Sequence, residues 1–138
     1  DECANLTVVR DLSNIQKLDI SGSNNLIQVQ GLRNISYIDL RMTPRLISVS
    51  DWFNIGKVDI AKSGISDIEG FGQVKILNLS ECHNISNFNP LLGEHINLVE
   101  ASLRRIQKNS SSIQLYNFLS QRLDSSKFEL TFSYVPCF

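Results

Sequence analysis

The chain has 138 residues, of which 42% are hydrophobic and 20% are charged, and its formal net charge is −1. This length is sufficient for a single domain, residues 1–138, with a substantial hydrophobic core. The near-neutral charge gives no general attraction to nucleic acid or to anionic membranes, and no run of about 20 apolar residues predicts membrane insertion.

Residues 1–11 precede the regular part of the sequence and are expected to form an N-terminal cap. Within them, Leu6 and Val9 have the spacing of a partial copy of the pattern that follows. The chain starts with Asp1 rather than Met, which suggests a trimmed or mature chain from which a leader has been removed. Cys3 in such a cap fits a secreted protein.

One apolar pattern then occurs four times between Leu12 and Phe88. The copies begin at Leu12, Leu32, Trp52 and Phe71, so they are spaced by 20, 20 and 19 residues. In each copy the first, fourth, seventh and ninth positions are apolar. A fixed period in this range predicts a solenoid, in which each coil buries its apolar side chains only by stacking on the next.

A small polar residue or a cysteine stands three places after the ninth position of every copy. These residues are Ser23, Thr43, Ser63 and Cys82. Their side chains are predicted to hydrogen-bond backbone groups that the turn would otherwise leave buried and unpaired. At the start of the third copy, Trp52 and Phe53 are predicted to fill the core beneath the turn; the alternative is an exposed aromatic contact.

The segment around the seventh and ninth positions of each copy is predicted to be a short strand. Since side chains alternate along a strand, the apolar pair points inward and the residue between them points outward. Stacked coils then form a parallel sheet whose outward residues make a candidate binding face. The partner-binding residues predicted on this face are Lys17, Asp19, Tyr37, Asp39, Arg41, Lys57, Asp59, Asn78 and Glu100.

The middle row of this face is predicted to run through Asp19, Asp39, Asp59, Asn78 and Glu100. Carboxylates stacked at strand spacing of about 5 Å repel one another. In one interpretation the neighbouring lysines and Arg41 neutralise the row locally, and Asp simply suits a solvated strand. In the other, the row is an acidic strip that receives a basic partner or a cation. Tyr37 is a plausible anchor, because tyrosine is enriched at binding surfaces.

A fifth, degenerate copy is assigned from Ile96, Val99 and Ala101, so the repeats span residues 12–106 and the C-terminal cap spans residues 107–138. Helical spacing of Ile113, Tyr116, Leu119 and Leu123 predicts a helix over 111–123. Alternating apolar residues from Phe128 to Tyr134 predict a strand with one buried face. Helix and strand are expected to seal the last coil; alternatively, the strand edge is a docking or dimer surface.

The four copies resemble a leucine-rich repeat. Phrases such as Ile65-Ser66-Asp67-Ile68 are similar to the short repeats of the phosphatase-regulator and internalin type. The resemblance covers roughly residues 5 to 103, and receptor L domains are related solenoids. It implies an α/β solenoid of about five coils with the parallel sheet on the concave face. It also implies a binding scaffold, without naming the ligand.

Five N-glycosylation acceptor sequences begin at Asn5, Asn34, Asn78, Asn84 and Asn109. Their number favours a secretory-pathway protein, although a repeat rich in Asn and Ser also generates such triplets by accident. The glycosylation candidates are Asn5, Asn34, Asn84 and Asn109, with the flanking Asn5 and Asn109 preferred. A glycan on Asn78 would obstruct the binding face.

The three cysteines show no metal-site or catalytic pattern. Cys82 is expected to be buried, and Cys3 and Cys137 belong to opposite ends of the solenoid, about 25 Å apart at strand spacing. The two pair with each other only if the tail folds back. Otherwise Cys137 is expected to bond either another chain, giving a disulfide-linked dimer, or a segment missing from this chain. Cys82, His83 and His95 lack the accompanying ligands of a metal site.

These observations favour a non-catalytic protein-recognition module that is secreted or exposed at the cell surface and needs no cofactor. One alternative is an intracellular adaptor or phosphatase-regulator-like scaffold with reduced cysteines. The other is a ligand-binding fragment of a larger receptor. The basic pair Arg104-Arg105 with Lys108 is interpreted as a solvated surface rather than a nucleic-acid site.

Overall fold

The computed structural model describes residues 5–93 and 96–133, which form a parallel β-solenoid of about five coils. Helix is nearly absent from the described coils, which contain only two short 3-10 segments, at Glu69–Phe71 and Asn89–Leu91. The fold is therefore a β-solenoid and not the α/β solenoid that the sequence predicted. The strands are β1 (Val8–Arg10), β2 (Lys17–Asp19), β3 (Gln28–Gln30), β4 (Arg33–Asp39), β5 (Phe53–Asp59), β6 (Val74–Asn78), β7 (Glu100–Ile106) and β8 (Phe128–Phe132), with helix α1 at Ser110–Arg122.

Two parallel sheets run along the stack. The main sheet has six strands in the order β2-β4-β5-β6-β7-β8, and every neighbouring pair in it is parallel. Strands β1 and β3 form a second, two-stranded sheet on another side of the first coils. Equivalent positions of successive repeats lie side by side, as in the alignment of Leu18, Ile38, Val58 and Leu77. The predicted stacking of coils about 20 residues long is confirmed.

The repeated apolar positions form one continuous core. Leu32, Ile35, Ile38 and Leu40 in the second copy are all buried, whereas Leu12 in the first copy is only partly buried. The first copy lies near the start of the described stack, where fewer of the described residues pack against it. Each fully buried side chain of this kind contributes about 1.5–3 kcal/mol to folding.

The small polar positions of the turns behave as predicted in three copies. Thr43 Oγ1 donates to the Leu40 carbonyl at 2.8 Å, and Cys82 Sγ donates to the Ile60 carbonyl at 3.1 Å. Ser63 Oγ accepts from the Ile65 amide at 3.3 Å. The fourth residue departs from the prediction, since the Ser23 hydroxyl is buried without a partner among the described residues.

Trp52 and Phe53 separate into one core residue and one surface residue. The Trp52 ring meets Phe71 edge-to-face with centroids 5.4 Å apart, and its Nε1 donates to the Val29 carbonyl at 3.3 Å. Phe53 is 53% exposed and lies 5.9 Å from the Arg33 guanidinium. The prediction that both fill the core is wrong for Phe53, because neighbouring residues point to opposite sides of the chain at the start of a strand.

The fifth coil is in a different register from the one predicted. Ile76 pairs with Glu100, Leu77 with Ala101, and Asn78 with Ser102. Glu100 therefore lies beside the row of Tyr37 and Lys57 and not in the row of aspartates. The step from Leu77 to Ala101 is 24 residues, longer than the other steps, so extending the pattern from the earlier copies misplaces it.

The core positions of this coil change accordingly. Leu98, Ala101 and Leu103 are buried, whereas Val99, which was assigned to the frame, is exposed. Ile96, the first residue of the assigned frame, is only partly buried. The seventh and ninth positions of the repeat are therefore Ala101 and Leu103, two residues later than the assigned Val99 and Ala101.

Helix α1 and strand β8 close the C-terminal end of the described stack. The helix begins one residue earlier than predicted, and its N-cap is Asn109, whose Oδ1 accepts from the Ser112 amide at 3.0 Å. Leu115 and Leu119 are its buried apolar residues, whereas Ile113 and Tyr116 are exposed. Strand β8 is confirmed and lies parallel to β7; the predicted extension to Tyr134 lies outside the described residues.

Candidate functional site

The side chains on the solvent side of the main sheet form the surface that we call the outward face. It consists of three rows that cross the strands, each defined by the register of the sheet. The rows are Lys17, Tyr37, Lys57, Ile76 and Glu100; Asp19, Asp39, Asp59, Asn78 and Ser102; and Ser21, Arg41, Ala61, Ser80 and Arg104.

Tyr37 lies between two lysines in the first row. The ammonium groups of Lys17 and Lys57 are 5.6 and 5.4 Å from the centroid of its ring. A cation over the face of an aromatic ring is attracted by the ring quadrupole, by about 0.5–1 kcal/mol at exposed sites. Burial raises the pKa of the Tyr37 phenol, and the nearby carboxylates, foremost Asp39, act in the same direction. Tyr37 is therefore a neutral aromatic group on an otherwise charged surface.

The repeated Asp or Asn of the second row ends each strand. The side chain accepts a hydrogen bond from the amide two residues later: Asp19 from Ser21 at 3.1 Å, Asp59 from Ala61 at 3.2 Å and Asn78 from Ser80 at 3.0 Å. Asn serves as well as Asp in this role because only the side-chain oxygen is needed. The recurrence of this row therefore has a structural reason.

Asp39 is the most enclosed carboxylate of the row, at 2% exposure. Arg41 Nε and Nη2 donate to its two oxygens at 2.9 and 2.7 Å, and the Arg41 amide donates at 3.1 Å. Burial alone would raise the pKa of Asp39, but the hydrogen bonds and positive charge of Arg41 outweigh it and lower the pKa. The same pair raises the pKa of Arg41. These contacts favour local neutralisation over a free acidic strip.

Two cavities open on the outward face. One, of about 500 Å³, is lined by residues that include Lys57, Ile76, Glu100, Lys127 and Phe128. The second, of about 510 Å³, is lined by residues that include Arg41, Lys62, Ser80, Arg104 and Arg105. Asp59 and Asn78 line both cavities, so the two adjoin. We call the pair the depression; it extends from the end of β4 to β8.

The structure brings together only part of the predicted binding set. Lys57, Asp59, Asn78 and Glu100 line the first cavity, and Arg41 joins Asp59 and Asn78 around the second. Lys17, Asp19, Tyr37 and Asp39 lie on the same face nearer the start of the stack, outside the lining of both cavities.

Lys62, Arg104, Arg105, Lys127 and Phe128 also line the depression but were not in the predicted set. Lys127 and Phe128 reach it because β8 pairs in parallel with β7. The helix-then-strand pattern after residue 107 was a signal for such a crossover, because a strand followed by a helix and a second strand commonly forms a parallel unit.

The carboxamides of three glycosylation candidates already join neighbouring coils. Asn34 Nδ2 donates to Asn14 Oδ1 at 3.1 Å, Asn84 Nδ2 to the Gly64 carbonyl at 3.4 Å, and Asn109 Nδ2 to the Ser86 carbonyl at 2.7 Å. Asn5 lies in an exposed turn. Glycan occupancy of all four stays a prediction.

The cysteine predictions are tested only for Cys82. It is a free, buried cysteine, and burial raises the pKa of its thiol. Cys3, Cys137 and His95 lie outside the described residues. Within residues 5–93 and 96–133, no three His, Cys, Asp or Glu side chains are grouped so that they could hold a metal ion.

The search for a membrane span covered the same part of the chain. The described helices are all too short or too polar to cross a bilayer. Comparison with known proteins gave no match to a protein-family model, to a curated protein or to a solved structure. The features of this chain that bear on its function are therefore the solenoid and the geometry of its outward face.

Proposed function

We propose that this chain is a leucine-rich-repeat module that recognises a protein partner on its outward face and has no catalytic activity or cofactor of its own. The observation that carries this proposal is the depression formed by the two cavities that share Asp59 and Asn78. It lies on the strands of a repetitive scaffold, where side chains are held in register.

The depression has the chemical character of a recognition surface. It combines apolar groups, Ile76 and Phe128, with charged groups of both signs, including Lys57 and Glu100. Protein interfaces commonly consist of an apolar centre surrounded by polar and charged groups. A scaffold that is already ordered also limits the entropy lost on association. Tyr37, between its two lysines, is the proposed anchor beside the depression.

The proposed setting of the module is the cell exterior or the cell surface. This part of the proposal rests on the five acceptor sequences and on their number in so short a chain. The alternatives, an intracellular adaptor and a fragment of a larger receptor, have the same outward face and differ in glycan occupancy and in the state of the outer cysteines.

Site-specific photo-crosslinking tests the location of the binding surface. A benzoylphenylalanine in place of Ile76 lies in the first cavity, and the same group in place of exposed Ile47 is a matched control outside the main sheet. We expect a crosslinked protein from secreted or cell-surface fractions at position 76 and none at position 47. Crosslinking at position 47 alone, or at neither position, would contradict the proposal.

A further inference from the structure

The second cavity lies between two arginines of the same row. Successive backbone bonds align this row: the Met42 amide donates to the Ala61 carbonyl, the Lys62 amide to the Ser80 carbonyl and the Glu81 amide to the Arg104 carbonyl. Arg41, Ala61, Ser80 and Arg104 therefore occupy equivalent positions on four adjacent coils, the first three just after the ends of β4, β5 and β6. At strand spacing, the backbones of Arg41 and Arg104 are about 14 Å apart.

The small side chains between the arginines form the floor of the cavity. Ala61 and Ser80 leave open the space that long side chains fill at either end of the row. A span of about 14 Å accommodates about four residues of an extended peptide. The cavity therefore has the length of a short peptide segment and a cation at each end.

The lining of this cavity is richer in positive than in negative charge. Arg41, Lys62, Arg104 and Arg105 contribute four cations, whereas Asp59 and Glu81 contribute two carboxylates. Beyond the lining, Asp39 binds Arg41 and Glu129 lies 3.8 Å from Arg104, so four carboxylates in all approach the four cations. The attraction of this cavity for an anionic segment therefore depends on which cations keep hydrogen-bonding capacity.

Three of the four cations keep hydrogen-bonding capacity. Glu81 is 3.9 Å from Lys62 and 3.8 Å from Arg105, and Glu129 is 3.8 Å from Arg104. These separations allow electrostatic attraction but exceed the usual hydrogen-bond length of about 2.7–3.2 Å. The side-chain N–H groups of Lys62, Arg104 and Arg105 therefore donate no hydrogen bond to these carboxylates and remain available to a ligand. Arg41 differs, because its Nε and Nη2 already donate to Asp39, so at this end of the cavity Nη1 is the guanidinium nitrogen that stays available to a carboxylate.

We propose that this cavity is the subsite for carboxylate side chains in an acidic, extended segment of the protein partner. The inference rests on the proposed protein-recognition function and specifies which part of the partner binds there. Guanidinium groups bind carboxylates through paired, charge-assisted hydrogen bonds, which gives Arg104 and Arg105 the leading role. Ser80 and Asn78 offer polar contacts to the segment between its carboxylates.

A labelled synthetic peptide provides the test without knowledge of the partner. The probe is a fluorescent extended peptide with two glutamates about four residues apart, compared with its glutamine counterpart by fluorescence anisotropy at low ionic strength, where charge contacts are least screened. We expect the glutamate peptide to bind at least tenfold more tightly than the glutamine peptide. Equal binding of the two peptides, or no binding of the glutamate peptide, would overturn the proposal.

Matched variants locate the binding. Arg104→Gln with Arg105→Gln should weaken the glutamate peptide at least tenfold, whereas Arg10→Gln with Arg45→Gln, two exposed arginines, removes the same charge and should have little effect. Equal losses in both double variants would indicate general electrostatics and overturn the proposal. Tighter binding of a phosphoserine peptide, without binding of the glutamate peptide, would overturn the carboxylate assignment.

A third variant is expected to bind the peptide more tightly, an effect that misfolding would not produce. Glu81→Gln removes the carboxylate that faces Lys62 and Arg105, so it should strengthen binding of the glutamate peptide several-fold. Unchanged or weaker binding would count against the subsite. If the protein crosslinked through position 76 is captured equally well by Arg104→Gln with Arg105→Gln, the subsite is wrong and the recognition function stands. If no protein is crosslinked, the recognition function itself fails.

Discussion

Arg41 binds Asp39 with two guanidinium nitrogens, at 2.9 and 2.7 Å, although the two residues are only two positions apart on the same face of the chain. The Asp39 side chain is 3% exposed and that of Arg41 is 49% exposed. The pair therefore joins a buried carboxylate to a cation that still reaches solvent. It keeps the most enclosed charge of the outward face neutralised.

Replacement of Arg41 by Gln should destabilise the fold at neutral pH. It leaves the Asp39 carboxylate buried without its cation. Breaking a fully buried pair costs about 3–5 kcal/mol, and since Arg41 is half exposed we expect about 2 kcal/mol here. Urea unfolding at pH 7 measures the difference, with Arg45→Gln as the exposed control. A loss no larger than that of the control would show that the pair contributes little.

The effect of Arg41→Gln should shrink in acid. In the wild type the pKa of Asp39 is lowered, so its stabilising contribution is present above the ordinary value of about 3.9 and is lost as pH falls through the folded-state pKa. In the variant, burial without a cation raises the pKa of Asp39. Protonation of Asp39 in acid then removes the free-energy cost of a buried, unpaired charge. Unfolding free energies measured between pH 7 and pH 3 should therefore converge. A constant difference over this range would contradict the assignment.

Two phenylalanines provide a matched test of the core. Phe71 is fully buried against Trp52, whereas Phe53 is 53% exposed. Phe71→Ala should lower the unfolding free energy by about 3–5 kcal/mol, because it removes buried area and leaves a cavity. Phe53→Ala should change it by about 0.5 kcal/mol or less. Similar urea midpoints for the two variants would place Phe53 in the core after all.

Asn34 tests the side-chain ladder at the start of the strands. Its Nδ2 donates to Asn14 and its Oδ1 accepts from Asn54 at 2.8 Å, while its backbone has a φ of 56°. Both Asn34→Gly and Asn34→Ala remove the hydrogen bonds to Asn14 and Asn54. Only alanine is also strained by the left-handed backbone conformation at this position, by about 1–2 kcal/mol. Thermal unfolding should rank the wild type above Gly and Gly above Ala. Equal stability of Gly and Ala would remove backbone strain from the explanation.

Glycan occupancy should differ between Asn5 and Asn34. Expressed in a eukaryotic secreting host, the chain should carry a glycan at Asn5, in its exposed turn, and none at Asn34, whose Nδ2 binds Asn14. Thr7→Ala should then lower the intact mass by one glycan, whereas Ser36→Ala should leave it unchanged. A protein that carries no glycan, with both outer cysteines reduced, would favour the intracellular adaptor.

The 20-residue periodicity was sufficient to predict the stacking, the parallel sheet and most of the core. Four copies with one spacing can bury Leu32, Ile38 or Val58 only against the same position of a neighbouring copy, so the local pattern and the fold carry the same information. The capped helix and final strand were also predictable from their own periodicity. Most of the outward face followed from strand alternation alone.

The register of the last coil and the shape of the candidate site depend on tertiary packing and could not be predicted from the repeat. A 24-residue step placed Ser102, not Glu100, beside Asn78 and so aligned Arg104 with Ser80 and Arg41. The parallel return of β8 brought Phe128 to the wall of the first cavity. A repeat pattern encodes contacts between equivalent positions, and it holds no information about where a coil of different length or a strand beyond the last repeat will dock.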